Sequence, residues 1–263
     1  MSGQVGRLAV VGLGPADARW LTPEAASVLE AANALYGYGP YLDRVPMRPG
    51  QSRHRTDNRE ESARAAAALG QAAGGANVAV VSGGDPGVFA MAAAVCAEIE
   101  AGPPAWRSLD IAIVPGITAM LAVAARVGAP IGHDFCALSL SDNLKPWEVI
   151  ERRLDAAAQG GFAIALYNPV SRARPWQFAS AVERLRRHLP PTTPVIFGRA
   201  IGRLDEHIAV TVLETATNEP ADKATLVDMA TLVIVGTRET RVIERPGRSP
   251  LVYTPRAVAE AIA

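Results

Sequence analysis

The sequence predicts an α/β protein made of two consecutive α/β domains with a ligand cleft between them. Three observations predict it. Short apolar runs alternate with helix-length segments along the chain, glycine- and proline-bearing turns follow several of those runs, and Gly128–Phe135 ("GAPIGHDF") interrupts the alternation near the middle. The alternation argues for a largely parallel sheet. The turns fall where such sheets bind ligands. The interruption divides the chain into residues 1–136 and 137–263, and clefts between halves are common ligand sites.

The elements follow in order. Leu8–Val11 is a first short strand. The helix after it has a marked start, because Thr22 can cap it, Pro23 suits its first turn and Glu24 complements its positive end. Ala34–Leu42 ("ALYGYGPYL") reads as a second strand running into a glycine-rich loop. A helix over Glu60–Ala73 stops at Gly74 and Gly75. Strand Asn77–Val81, helix Val88–Ala101, strand Ile111–Val114 and helix Thr118–Val127 complete the first set. The second set comprises strand Ala137–Ser141, helix Trp147–Gln159, strand Phe162–Tyr167, helix Trp176–Leu189 and strand Val195–Phe197. Ile208–Leu213 can pair antiparallel, and Thr231–Gly236 reads as a buried strand.

Composition narrows the function. The formal net charge is zero, so nothing draws the chain generally toward nucleic acid or an anionic membrane. Aromatic residues make up only 5%, which leaves Ala, Val, Leu and Ile to fill the core. Lysine and arginine total 26, yet only Lys145 and Lys223 are lysines. Arginine reads carboxylates through two parallel hydrogen bonds, so some of these residues are candidates for an acidic ligand. Cys96 and Cys136 lie far apart in apolar surroundings and read as buried thiols of a reducing compartment. The four histidines show no metal-ligand spacing, so no metal is expected. The opening run "LAVVGLG" is too short for a signal peptide, and no stretch approaches the about 20 apolar residues of a membrane span. The expected location is the cytoplasm.

Three strand-end loops carry the chemistry. "VVGLGPAD" (Val10–Asp17) looks at first like a dinucleotide fingerprint, but Asp17 stands where the third glycine belongs. The following helix also starts too late to cradle a pyrophosphate. "SGGDPG" (Ser82–Gly87) lacks the lysine and hydroxyl of a phosphate loop, and Asp85 would repel phosphate. Its carboxylate suits a hydroxyl or a cation, or it can bond its own turn. "VPGITAM" (Val114–Met120) is a third such loop, in which Thr118 can serve as a helix cap.

In this order the loops resemble those of S-adenosylmethionine-dependent methyltransferases that act on tetrapyrroles. "LYGYGPYLD", "TDNREE", "GAPIGHDFCALSLSD", "LYNPVS" and "VIVGTRET" bring the likeness closest to the branch that methylates C17 of precorrin-3B in cobalamin synthesis. The likeness covers nearly the whole chain. One departure is Ala16, where the class usually has glycine. The resemblance implies the tetrapyrrole methylase fold, a homodimer, and S-adenosyl-L-methionine held in the cleft and released as S-adenosyl-L-homocysteine. It assigns donor contacts to Pro15, Gly83, Gly84, Asp85, Val88, Thr118 and Ala119. From the second half it assigns adenosine contacts to Tyr167, Asn168, Ala200, Ile201, Thr231 and Leu232.

Methyl transfer needs alignment more than acid or base. The resemblance further implies ring contraction, in which a hydroxyl at C20 is deprotonated and an acetyl group is left on C1. That step needs a base, and Asp17, Asp57, His133 and Asp142 are candidates by type and placement. For the macrocycle's carboxylates, arginines cluster at Arg44, Arg48, Arg53, Arg55 and Arg59 and again at Arg172 and Arg174. Arg53, Arg55 and Arg172 are the expected substrate-binding members. The alternatives are the cobalt-factor III C17-methyltransferase reaction, another precorrin methylation, an RNA or modified-histidine methyltransferase, or a non-catalytic nucleotide-binding module. The lack of a basic, aromatic-interleaved stripe counts against RNA.

Overall fold

The computed structural model describes residues 6–216 and 227–257. They form two compact units, Met1–Ala119 and Met120–Ala263.

The first unit holds a five-stranded, all-parallel sheet. Its strands are β1 (Arg7–Gly12), β2 (Ala34–Tyr38), β3 (Ser52–Thr56), β4 (Asn77–Ser82) and β5 (Asp110–Val114), in spatial order β3-β2-β4-β1-β5. Both faces of the central strands are covered. Leu8, Val10, Val78 and Val80 pack in a cluster with residues of α3 (Glu61–Ala73) and α4 (Met91–Ala101). The alternate residues Ala9, Val11, Ala79 and Val81 pack with α1 (Pro23–Ala31) and with Leu42 of the one-turn helix α2 (Gly39–Leu42). A parallel strand buried on both faces must be apolar throughout, so these runs do not alternate with polar residues. Each fully buried Val or Leu contributes about 1.5–3 kcal/mol. The Thr22 cap forms as expected, with Oγ1 accepting from Ala25 N at 3.1 Å.

Three features differ from the sequence expectation. "SRHRT" is strand β3 although it is polar, because neighbours hold it. Tyr36 of β2 stacks on its register partner His54 at 4.2 Å, and Arg55 pairs with Asp43. Residues after Tyr38 turn into α2 instead of a loop. Helix α4 begins at Met91, not Val88, because Phe89 has φ +52° and Ala90 is extended.

The second unit contains all but the first residue of α5 (Ala119–Val127), then β6 (Gly128–Ala129), β7 (Phe135–Ser139), α6 (Trp147–Gln159), β8 (Ala163–Tyr167), α7 (Gln177–Leu185), β9 (Pro194–Arg199), β10 (His207–Val212), β11 (Thr231–Val235), β12 (Arg241–Arg245) and β13 (Arg248–Tyr253). Its main sheet, β10-β9-β11-β8-β7, is mixed. Only β7 and β8 are neighbours in parallel; β11 inserts antiparallel between β8 and β9, and β10 pairs antiparallel with β9. The largely parallel expectation therefore holds for the first sheet and is corrected for the second. The domain boundary also moves upstream, from Cys136/Ala137 to Ala119/Met120. Val123 of α5 lies so close to β9 that a Cβ on Gly198 would meet its side chain at 2.3 Å. Gly128–Ala129, at the start of the segment that interrupts the alternation, pairs with Val252–Tyr253 of β13.

Helices α6 and α7 are tied by charge. Arg184 donates to both oxygens of Asp155 at 2.8 and 2.6 Å, and His188 Nε2 lies 3.0 Å from Asp155 Oδ1. The Arg184 hydrogen bonds hold the Asp155 carboxyl below its usual range. A depressed carboxylate contributes stability above its unfolded pKa, about 3.9, and loses it as pH falls through the folded value. Asp155→Asn is therefore expected to cost about 2 kcal/mol at pH 7 and progressively less below pH 4. Urea titrations at pH 7 and pH 3 check this; an equal loss at both would contradict it.

Both cysteines are unpaired. Cys96 is exposed on α4, against the expectation of burial, and Cys136 is half-buried. Among the described residues no helix is long and apolar enough to cross a membrane.

Candidate active site

The three glycine loops emerge side by side because their strands are neighbours in register: Gly12 pairs with Ser82, and Val11 with Val114. They are then knitted together. Leu13 N donates to Ser82 O at 2.9 Å, Gly14 N to Gly84 O at 3.1 Å, and Gly84 N back to Gly14 O at 2.9 Å. Asp85 ties the second loop to the third. Its Oδ1 accepts from Gly87 N at 2.8 Å, and its Oδ2 accepts from Gly116 N at 3.0 Å. A Cβ on Gly116 would sit 2.3 Å from Gly84 O and 2.9 Å from Gly12 Cα, so only glycine permits this approach. Pro15, Gly83, Gly84, Asp85 and Val88 are partly exposed around the loops, and Thr118 is buried with its Cα near Gly84. The structure thus gathers the first unit's expected donor residues. Asp85 makes the turn that the sequence allowed and also spans two loops; each carboxylate oxygen keeps further acceptor capacity.

Arg44 braces the first loop from within. Its Nη2 donates to Leu13 O at 2.7 Å, to Gly14 O at 2.8 Å and to Ala16 O. Ala16 has no positive φ, so its departure from glycine introduces no backbone strain. The expected arginine patch is otherwise largely committed. Arg53 donates to Leu42 O, Val45 O and Pro46 O at 2.9, 2.9 and 2.6 Å, and Arg48 pairs with Glu30. Arg53 thus braces the segment after α2. Arg55 is exposed and pairs with Asp43; Arg172 is exposed.

In the second unit the expected adenosine residues gather at one edge of the mixed sheet. Because β9 and β11 run antiparallel, Thr231 lies opposite Arg199 and Leu232 opposite Gly198, which places Ala200 and Ile201 beside the start of β11. Leu166 pairs with Val233, bringing Tyr167 and Asn168 to the same edge. Ala200 N donates to Ala230 O at 3.0 Å. Tyr167 Oη accepts from Met120 N at 3.2 Å, and Asn168 Nδ2 donates to Ser139 Oγ at 3.0 Å. Asn168 has φ +53° and Ala200 φ +51°. With Phe89 they are the only non-glycine residues in the left-handed region among those described, and such strain clusters at functional sites.

The four candidate bases differ sharply. Asp17 caps a turn, takes hydrogen bonds from Arg19 N, Nε and Nη2, and is held below the usual carboxylate range by them, which makes it a poor base. Asp57 is exposed and accepts from Asn58 N, while Glu60 accepts from Asp57 N at 2.7 Å. His133 is half-buried, 3.8 Å from Asp134. Asp142, just beyond β7, is half-buried among polar groups. Gln177 Nε2 donates to its Oδ2 at 3.2 Å, and Arg174 Nη1 lies 4.0 Å from its Oδ1. Lys145, anchored on Ser141 O at 3.3 Å, has its pKa lowered chiefly by burial, with Arg153 adding to the shift and Asp142 opposing it.

Sequence reading missed Gln177, which is 1% exposed at the start of α7, and the bracing role of Arg44. Neither carries a motif; only the polar character of a residue beside an apolar helix face marks Gln177.

Residues 7–217 match the family described as Tetrapyrrole (Corrin/Porphyrin) Methylases. A precorrin-3B C(17)-methyltransferase from Sinorhizobium sp is 61% identical over 97% of this chain and 98% of its own length. A probable cobalt-factor III C(17)-methyltransferase from Salmonella typhimurium is 38% identical over 95% of this chain and 98% of its own. The crystal structure of the methyltransferase CobJ superposes with a TM-score of 0.88 at 48% identity, over 95% of this chain and all of that one. With strand-end loops, sheet edge and near end-to-end likeness in agreement, the chain belongs to the tetrapyrrole methylase family and is a methyltransferase.

Proposed function

We propose that this chain methylates C17 of precorrin-3B, using S-adenosylmethionine, and contracts the macrocycle to precorrin-4 in cobalamin synthesis. The observation that carries this reading is the 61% identity to a precorrin-3B C(17)-methyltransferase along essentially both whole chains. The cobalt-factor relative is much further away at 38%, which favours the metal-free substrate.

The donor residues fit a sulfonium amino acid nucleoside. It supplies an electrophilic methyl group, a carboxylate, an ammonium and an adenosine. The main chain of the Gly83–Asp85 loop, with Pro15, Val88, Thr118 and Ala119, has the role of holding the methionine and ribose end. The spare acceptor capacity of Asp85 suits an ammonium or hydroxyl. Tyr167, Asn168, Ala200, Ile201, Thr231 and Leu232 have the role of receiving adenosine. These residues align the methyl with its carbon and keep water from it, which is where most of the barrier reduction arises. Asp142 accepts the proton of the substrate hydroxyl on Oδ1, and the O–H electron pair stays on the substrate oxygen.

The exposed Arg55 and Arg172 take the substrate's carboxylates. Arg55→Gln combined with Arg172→Gln is expected to weaken tetrapyrrole binding about ten-fold or more and to leave donor binding unchanged. Titration of each ligand checks this; equal loss of both ligands, or of neither, would contradict it. The reaction itself is tested by mass spectrometry of the product from precorrin-3B and donor, with the cobalt-bearing macrocycle as comparison. One added methyl and an acetyl-bearing contracted ring from the metal-free substrate is the expected result; turnover of the cobalt form alone would reassign the substrate.

A further inference from the structure

Three tyrosines, Tyr36, Tyr38 and Tyr41, follow one another in the segment "LYGYGPYLD" that runs from β2 into α2. Tyr36 spends its hydroxyl inside the fold, donating to Gln71 Oε1 at 2.6 Å. The hydroxyl of Tyr41 bonds to no described residue. Tyr41 is half-buried, and its oxygen is not one of the buried atoms left without a partner, so it is open to solvent. The ring that carries it is nonetheless held. Its hydroxyl end lies over Gly83 of the second glycine loop, where a Cβ would meet Tyr41 Cζ at 2.6 Å and Oη at 2.8 Å. Tyr38 packs edge-to-face against it, with ring centroids 5.4 Å apart. An accessible donor on a ring fixed from two sides is a preorganised contact.

The position of Tyr41 along the sheet edge says which ligand it meets. The three donor loops follow β4, β1 and β5, which are adjacent in the order β3-β2-β4-β1-β5. The β3-β2 side of that edge carries Arg55, one of the two exposed arginines assigned to the macrocycle's carboxylates. Its Nη2 lies 2.9 Å from where a Cβ on Gly39 would stand, two residues before Tyr41. Tyr41 therefore stands where the two sides meet, near the arginine in the chain and against the donor loop at Gly83. A phenol gives one proton, and a carboxylate or carbonyl oxygen takes it. We infer that Tyr41 is a substrate contact, its hydroxyl donating to an acceptor oxygen on the rim of the tetrapyrrole while its ring rests on the donor loop. This rests on the methyltransferase reading above and adds to it the group that sets the methyl acceptor in register with the donor. Such alignment is what methyl transfer requires.

The test compares wild type, Tyr41→Phe and Tyr36→Phe for binding of precorrin-3B, binding of S-adenosylhomocysteine, and steady-state turnover. Tyr41→Phe keeps the ring on Gly83 and removes only the hydroxyl, so the fold and the donor affinity should match wild type. Its affinity for precorrin-3B is expected to fall about ten-fold, the effect of one lost hydrogen bond to an acceptor oxygen. Because that bond is made before and during methyl transfer, KM should rise by a similar factor while kcat stays within about three-fold. Tyr36→Phe removes a hydroxyl already spent on Gln71 and should leave both affinities at the wild-type values. Unchanged precorrin-3B affinity in Tyr41→Phe overturns the inference. So does a loss confined to S-adenosylhomocysteine, which would put the hydroxyl on the donor, or an equal loss of precorrin-3B affinity in Tyr36→Phe, which would make the effect one of folding. Failure of wild type itself to bind precorrin-3B overturns the proposed function with it.

Discussion

Asp142→Asn is expected to lower formation of the ring-contracted product by roughly 100- to 10,000-fold, the range that a positioned general base supplies. Asparagine keeps the shape and can still accept from Gln177 Nε2 at the Oδ2 position, so the fold should tolerate the change. It cannot take a proton, and that is the property under test. Donor affinity should stay near its wild-type value, because Asp142 is not among the residues assigned to the donor, although β7 ends at the same sheet edge as Tyr167. The residual rate should climb with pH as hydroxide replaces the missing base. Asp17→Asn should by contrast leave contraction near wild type, since Arg19 already holds that carboxylate in its ionised, hydrogen-bonded form. Contraction by Asp142→Asn within ten-fold of wild type would move the base elsewhere, with His133 next in line.

Gly116→Ala is expected to have the largest effect on the donor site. The new Cβ meets backbone only, at 2.3 Å from Gly84 O and 2.9 Å from Gly12 Cα, so no side chain can swing aside. The three loops must part, and Asp85 must release Gly116 N. The cost should be about 3 kcal/mol of stability, with donor affinity down about 100-fold or more. Gly70→Ala is the control. It sits within α3 with nothing within 4 Å of its Cβ position, and alanine there should raise stability by about 0.5–1 kcal/mol with donor binding intact. Thermal melts and calorimetry separate the two, and a Gly116→Ala protein that binds donor normally would contradict the knitted-loop account.

What the sequence disclosed follows from where its physics is local. The apolar runs of β1, β4, β8 and β11 and the Thr22 cap depend on neighbours in sequence and were legible. Strand β3 was not, because its five polar residues are strand only through pairing with β2 and the Tyr36–His54 stack. The antiparallel insertion of β11 was also hidden, since strand direction depends on contacts far apart in the chain. At the site, glycine spacing marked the three loops, but charge alone could not say where arginines point. Arg44 and Arg53 spend their donors on carbonyl oxygens, and no local pattern separates them from Arg55. Gln177 was silent for the same reason: its meaning lies in Asp142, which comes from the turn after another strand.

The most direct measurement is titration of the purified chain with S-adenosylhomocysteine by calorimetry, run beside ATP and NADH. A single saturable site for the sulfur nucleoside, weakened about 100-fold or more in Gly116→Ala, is the predicted result. Indifference to it together with tight binding of ATP or NADH would contradict the assignment at its root.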